Sequence, residues 1–404
     1  MHAVVKRIQE ALDRPSVCLI VSLVLLFFLM RPGMIMWVSD GVIAPFFSVA
    51  RWLAVILSIV LYLCLVGIDV FGAACLFLAL FGYLSLAIND QSMFGFQESW
   101  APACAAALLA RALSERYLKS LLWAVMIVSS MISVANLATI LIFPGGIPGI
   151  GTASGYYFNG HRNQAIAVII PSVFSSLILD AMGNSRFSLR SALLLIVGFS
   201  QVILAYSATS SVTLVVALIG IVTVRGKRAR WLLNAYTYLA VVGVIFLLIV
   251  VCGLQNSVGS GLVGLLGKDA TFTGRTVIWG EVIKDVWATH PLIGCGHDTF
   301  WNGWMMVGSA HNMVLEVLAQ GGILGVLTYF SLLLVVARNL YSRSGSLPVA
   351  LISLAIGCFL LVGLAEQTRW ASFFLFLGIG YGAPSYEVRT RFGINALKTQ
   401  NNAS

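Results

Sequence analysis

The feature that most limits this chain is its succession of long apolar runs. A helix rises about 1.5 Å per residue, so about 20 apolar residues cross the hydrocarbon of a bilayer. Runs such as residues 120–143 and 232–253 have that length. Backbone groups find no water partner inside a membrane, so a spanning segment must bond internally as a helix or close into a barrel. About twelve runs can be marked: roughly 16–37, 49–67, 69–88, 99–113, 120–143, 164–182, 190–206, 211–224, 232–253, 312–338, 347–364 and 370–384. The expectation is an all-α polytopic membrane protein with about 12 transmembrane helices, one membrane domain over residues 1–404. Composition agrees, with 59% hydrophobic and only 10% charged residues where soluble chains carry about a quarter.

Lys6, Arg7 and Arg14 precede the run from Val17 to Met30, and no small-residue cleavage site follows, so the run reads as a first span and not a signal peptide. The net charge of +9 is no sign of nucleic-acid binding, because Lys and Arg in such chains mainly orient loops. With a cytoplasmic N-terminus, basic residues collect in the cytoplasmic segments, as at Arg111, Arg116 and Lys119 or Arg225, Lys227, Arg228 and Arg230. Both termini are then cytoplasmic. Four of five histidines, His161, His290, His297 and His311, fall outside, with one long external loop at 253–311 between the ninth and tenth spans. The seven cysteines show no disulfide framework or metal spacing. No metal or cofactor is expected.

Within the loop, Val277, Ile278, Val282, Ile283, Val286 and Trp287 recur near helical spacing while Glu281, Lys284 and Asp285 take another face. This predicts an amphipathic helix on the outer leaflet, folded back over the bundle and ended by Pro291. Gly294 and Gly296 then permit a tight reversal.

The polar residues around this loop are candidates for chemistry. Arg275 opens the predicted helix, and its planar, permanently charged fork suits phosphate oxygens. Arg162 and Asn163 stand at the mouth of the sixth span, where a helix N-terminus adds amide donors. His311 can take a proton from a hydroxyl near neutral pH, with Asn312 placed to orient it and Glu316 within the next turns. Arg369 is expected to pair with Glu366, close by in sequence. His297 and Asp298 form a weaker acid/base pair, and Trp279 suits a membrane–water interface. The catalytic candidates are His311 and Arg275. The substrate-binding candidates are Arg162, Asn163, Asn312, Glu316, Trp279, His297 and Arg369. Ionisable residues are nearly absent from mid-span positions, which argues against an ion-coupled carrier.

The segments "TFTGRTVIWGEVI", "HPLIGCGHDTF" and "AHNMVLEVLAQGGILG", within Thr271 to Gly325, together resemble the C-terminal signature of the bacterial O-antigen ligase and polymerase family, which includes exopolysaccharide polymerases. "FNGHRNQ" is similar to a shorter element opening a middle span in that family. The resemblance implies a class C glycosyltransferase-like fold with a polyprenyl-diphosphate-linked glycan as donor. Transfer would go, without a metal, to an acceptor hydroxyl on the external face: another lipid-linked glycan for a polymerase, or lipid A-core for a ligase. The form of "TFTGRTVIW" leans toward exopolysaccharide polymerases. Other polysaccharide-assembly proteins are possible partners. The chain departs from relatives where they carry a Ser-Arg pair after the seventh span; here Ser207 is followed by Ala208. A lipid-linked sugar flippase would use the same arginines without bond cleavage, but the spans lack a basic path.

Overall fold

The computed structural model describes residues 2–37, 42–92, 100–150, 155–183, 185, 187–252, 275–296 and 309–401, with side chains as far as residue 390. The apolar runs fold as helices: α1 (His2–Leu12), α2 (Pro15–Leu29), the single turn α3 (Met34–Trp37), α4 (Ile43–Leu65), α5 (Val70–Ile88) and α6 (Trp100–Ile142). A two-stranded antiparallel hairpin follows, β1 (Tyr156–Tyr157) and β2 (Gly160–His161), then a 3-10 turn (Arg162–Ala165) leading into α7 (Ile166–Met182). After it come α8 (Leu189–Ala205), α9 (Ala208–Thr223), α10 (Lys227–Leu232) and α11 (Ala235–Phe246), which continues as a π-helical turn (Leu247–Val251). The described chain ends with α12 (Arg275–Ala288), α13 (Met313–Tyr341), α14 (Leu347–Gly363) and α15 (Ala371–Asn401).

By length and composition, five of the described helices can cross a membrane, or six if α1 and α2, bent by 97°, count as one span. The shorter apolar helices are α8, α9, α14 and α11 with its π turn. The count of about twelve divides α6 in two and adds these four and α15.

The division of α6 has a physical basis. Its backbone leaves helical geometry at Tyr117 (φ −120°, ψ 26°). A straight helix would separate Trp100 from Asn136 by about 54 Å. Instead the Trp100 ring packs 6.0 Å from Phe374 at the start of α15, and Asn136 accepts the Asn159 amide at 2.8 Å. Asn159 and Ala371 line the same cavity, so both ends of α6 lie at one end of the bundle. Tyr117 marks the opposite end, where its hydroxyl donates to Asp13 between α1 and α2. There Arg111 also binds Asp69 at 2.8 Å and Glu115 at 2.9 Å. The first arm of α6 is rich in buried alanines, and Gly378 and Gly382 of α15 press onto Ala107 and Ser114, where any Cβ would overlap. Small residues permit this close approach of helices within a membrane bundle.

A second break shapes the other end. In α13, Gly322 adopts φ +60° and ψ −160°, a region essentially restricted to glycine. The arm after it, 323–341, is by itself about 28 Å long, so residues 313–321 form a separate short arm at the bundle's end. The break frees backbone groups, and the turn after α12 supplies their partners. Ile323 N donates to Pro291 O at 2.9 Å, Leu324 N to Leu292 O at 3.2 Å, and Cys295 N to Ala319 O at 2.6 Å. A Gly-Gly pair in an apolar run suggests a close helix–helix contact, but the close partner of Gly322 is the backbone of the Pro291–Cys295 turn. From α5 and beyond it, Asn89, Gln91 and Ser85 bond Gly294 O, Cys295 O and Gly296 N and hold the turn from its other side.

A Cβ at Gly322 would overlap the Leu292 carbonyl, whereas one at Gly321 would meet nothing nearer than Phe81 at 3.8 Å. Gly322→Ala should therefore lower stability by about 2 kcal/mol or more. Gly321→Ala should stay within about 0.5 kcal/mol of wild type or exceed it. Thermal unfolding of the detergent-solubilised variants compares the two, and equal behaviour would remove the role given to the break.

Candidate active site

The short arm of α13 and the link between α14 and α15 meet at the end of the bundle opposite Tyr117. Two buried carboxylates organise the polar groups there. Glu366 receives Arg275 Nη2 at 2.7 Å and Asn163 Nδ2 at 2.8 Å on Oε1. His311 Nδ1 stands 3.6 Å from Oε2, an ion-pair approach longer than a hydrogen bond. Asn163 Oδ1 in turn accepts from Ser207 Oγ at 2.9 Å, so the start of α9 joins the network. Burial alone would raise the Glu366 pKa, but the His311 ring, the Arg275 guanidinium and Asn163 hold it below the ordinary carboxylate value. Glu366 is thus ionised at neutral pH.

Glu316 organises the neighbouring set. Its Oε2 accepts the Ala310 amide at 2.8 Å and Ser309 Oγ at 3.2 Å. Its Oε1 accepts Gln320 Nε2 at 2.6 Å and faces Arg369 Nη2 at 3.2 Å. Arg369 also donates to Gln320 Oε1 at 2.7 Å and to Gln367. The expected Arg369–Glu366 pair is therefore corrected: Arg369 joins Glu316, and Glu366 joins Arg275, Asn163 and His311. Glu316 comes from the short arm of α13 and Glu366 from the 366–369 link, and each takes a different cation.

Local structure fixes His311. Asn312 is the N-cap of α13, its Oδ1 accepting the Val314 and Leu315 amides at 3.0 and 3.1 Å. Its Nδ2 donates to Leu364 O at 3.1 Å, so both ends of the amide are engaged within the fold. Trp279 is buried and donates from Nε1 to Ala310 O at 3.0 Å, pinning the residue before His311. His311 itself has φ +48°, an uncommon left-handed conformation for a non-glycine residue. Its side chain is 35% exposed, so the ring can be reached while Nδ1 faces Glu366.

Helix α12 confirms the amphipathic pattern. Ile278, Trp279, Val282 and Val286 are buried against Phe246, Ile249 and Val250 of α11's end and Leu315 and Ala319 of α13. Val277, Ile283 and Trp287 of the same predicted face stay exposed, so α12 covers protein with part of its apolar surface, as a helix folded back over the bundle would.

Arg162 begins the 3-10 turn after the β hairpin, and among the described residues none hydrogen-bonds or pairs with its guanidinium. His161 beside it accepts the Asn163 amide on Nδ1 at 3.5 Å. Burial depresses the His161 pKa; Glu366 opposes this, while Arg162, His311 and Arg275 add to it. The structure brings His311, Arg275, Asn163 and Arg162 to one end of the bundle around Glu366. His297 and Asp298 lie outside the described residues. Among the described residues no group of three His, Cys, Asp or Glu side chains is placed to hold a metal.

Sequence reading missed Glu366 as the organiser, assigning it only to Arg369. Its signal was a lone carboxylate between the last two apolar runs, where an ionisable residue in membrane surroundings marks function by default. Replacing Glu366 with Ala leaves Arg275 without its buried partner and should cost about 3–5 kcal/mol. A carboxylate whose folded pKa is depressed stabilises above its ordinary value and loses that contribution as pH falls through the folded value. The stability gap between wild type and Glu366→Gln should be present above about pH 4.5 and shrink below it. A gap that widens on acidification, in denaturant titrations across pH, would contradict this.

An O-antigen ligase family model matches residues 192–330. A comparison with curated proteins found no match. The matched stretch runs from α8 into α13 and contains Arg275, Trp279, His311, Asn312 and Glu316, while Asn163 and Glu366 lie outside it. Through this segment the chain is similar to the O-antigen ligase family, and its set of long apolar helices fits an integral membrane protein.

Proposed function

We propose that this protein is a glycosyltransferase that moves a polyprenyl-diphosphate-linked glycan to an acceptor hydroxyl at the outer face of the bacterial inner membrane. The observation that carries the proposal is the convergence of His311 and Arg275 on Glu366, with Arg162 nearby. In the proposed step the acceptor oxygen bonds to the anomeric carbon as the bond from that carbon to the diphosphate oxygen breaks. The acceptor's proton goes to His311 Nε2, the ring nitrogen opposite the one facing Glu366, and the ionised Glu366 stabilises the imidazolium that forms. The electron pair leaves with the lipid diphosphate. Arg275 and Arg162 stabilise its charge, the function a metal ion serves elsewhere.

Orientation rests on charge. The Tyr117 end gathers Arg111, Arg190, Arg389 and Arg230, as a cytoplasmic face does. In this reading about twelve crossings place both termini in the cytoplasm and the Glu366 end outside. The acceptor is a second lipid-linked glycan, as in exopolysaccharide or O-antigen polymerisation. Ligation to lipid A-core is the second reading, and the description of the matched family favours it.

Purified protein supplied with labelled undecaprenyl-diphosphate oligosaccharide should produce extended or transferred glycan. His311→Ala and His311→Gln should lower the transfer rate by about 10²- to 10⁴-fold while donor binding persists. Transfer at the wild-type rate in both variants would sink the general-base assignment.

A further inference from the structure

A cavity of about 390 Å³ lies beside the Glu366 cluster. Asn163 and Glu366 are hydrogen-bonded at 2.8 Å, and the residue after each, Gln164 and Gln367, lines the cavity. Consecutive Cα atoms are about 3.8 Å apart, so the cavity begins one residue away from both partners of that bond. Its volume falls in the range of sites for small organic ligands, about 300 Å³ and upward. Arg31, Arg51 and Arg369 also reach it, but all three are engaged within the fold. Glu316, Gln320 and Gln367 hold Arg369, and Arg31 and Arg51 have partners of their own. The amides differ from the arginines. No hydrogen bond to the Gln164 side-chain amide, or to Nε2 of Gln367, occurs among the described residues. Trp370 and Tyr156 add ring surface, and the Tyr156 ring is set against His161 with centroids 5.3 Å apart. The hairpin fixes Gln164. Asn159 Nδ2 donates to Gln164 O at 2.8 Å, and Asn159 N donates to Asn136 Oδ1 at 2.8 Å. Gly160, at φ +114°, leaves the space that the Gln164 amide occupies, since a Cβ there would overlap Oε1.

We infer that this cavity is a sugar-binding subsite, one that holds uncharged sugars of the glycan substrate while a neighbouring sugar reacts at His311. The inference rests on the transfer reaction proposed above. A sugar hydroxyl both donates and accepts, and a side-chain amide offers a group of each kind. Aromatic rings supply apolar surface for the C–H faces of a pyranose. A diphosphate calls for charged donors with free forks, whereas a hydroxyl is served by a neutral amide. A glycan extends well beyond the one bond that reacts, so its next sugars need a seat close to Glu366. The cavity is that close, and it shares none of its described lining with His311, Arg275, Arg162 or Glu366. Gln164 and Trp370 are then specificity-determining residues that read the sugar, while Arg275 and Arg162 meet the diphosphate.

The test uses the full chain in nanodiscs. Its probe is the oligosaccharide repeat released by mild acid from the lipid-linked glycan of the cells that carry the protein, freed of lipid and phosphate. Calorimetry should show saturable binding of this repeat to wild type and to His311→Ala. Gln164→Leu and Trp370→Leu should each weaken it about 3- to 10-fold, the loss of one or two neutral hydrogen bonds or of one ring contact. Trp370→Phe should recover part of the loss. In transfer assays the same Leu variants should raise KM for the lipid-linked glycan by that factor at nearly unchanged kcat. Their affinity for bare undecaprenyl diphosphate should not move. Gln164 is half-buried and its side chain makes no other hydrogen bond among the described residues, so Gln164→Leu carries the test if Trp370→Leu does not fold. No binding of the free repeat to wild type, or unchanged affinity in both Leu variants, would overturn the sugar site and leave the proposed reaction standing. Inorganic pyrophosphate that displaces the repeat, and whose own binding depends on Gln164, would overturn the uncharged ligand. Repeat bound through Gln164 by a protein that transfers no lipid-linked glycan would support the sugar site and overturn the reaction.

Discussion

The arrangement at the mouth of this protein depends on one buried carboxylate. Glu366 sits between α14 and α15 and receives groups from three distant parts of the chain: Asn163 at the start of α7, Arg275 at the start of α12 and His311 before α13. A charge withdrawn from water is tolerated only when paired and hydrogen-bonded. The same contacts hold the Glu366 pKa below the ordinary carboxylate value. With Glu366 ionised, Arg275 keeps a fixed place, and the His311 ring has an anion on one side and access to solvent on the other.

The backbone around His311 is built to keep that geometry. The break at Gly322 detaches a short arm of α13 from its spanning part and leaves amides and a carbonyl to be filled. The turn after α12 fills them, and α12 buries part of its apolar face on the same arm. Asn312 caps the arm, Trp279 pins Ala310, and Glu316 accepts the Ala310 amide. Among the described motif residues, Pro291, Leu292, Cys295, Asn312, Glu316 and Gly322 thus support the segment that carries His311. Flexible loops seldom hold a catalytic group to the tolerance that chemistry needs, and supporting hydrogen bonds from rigid elements supply it.

Much of the fold was legible because apolar length and charge bias report directly on bilayer physics. The runs fell on helices, the amphipathic pattern of 275–288 fell on α12, and Pro291 closed it. Periodicity could not show that the face of α12 meets α11 and α13, because protein and lipid interiors demand the same residues. Nor could it show that Gly322 breaks a helix, since a glycine pair reads equally as close packing. At the site, Arg275 and His311 were legible from residue type and position. Glu366 was not, because its partners lie 203, 91 and 55 positions away in sequence (366 − 163, 366 − 275, 366 − 311). Nearness to Arg369 suggested a local pair, and the fold routes Arg369 to Glu316.

The central claim is that His311 and Glu366 act as one unit in glycan transfer. A double-mutant cycle on the transfer rate measures this directly, using His311→Gln, Glu366→Gln and the pair. Residues that act as a unit are strongly non-additive, so the account predicts that the double variant is scarcely slower than His311→Gln, a coupling of about 1.5 kcal/mol or more. Rate losses that simply multiply would contradict it and would leave Glu366 as a structural anchor beside an independent histidine.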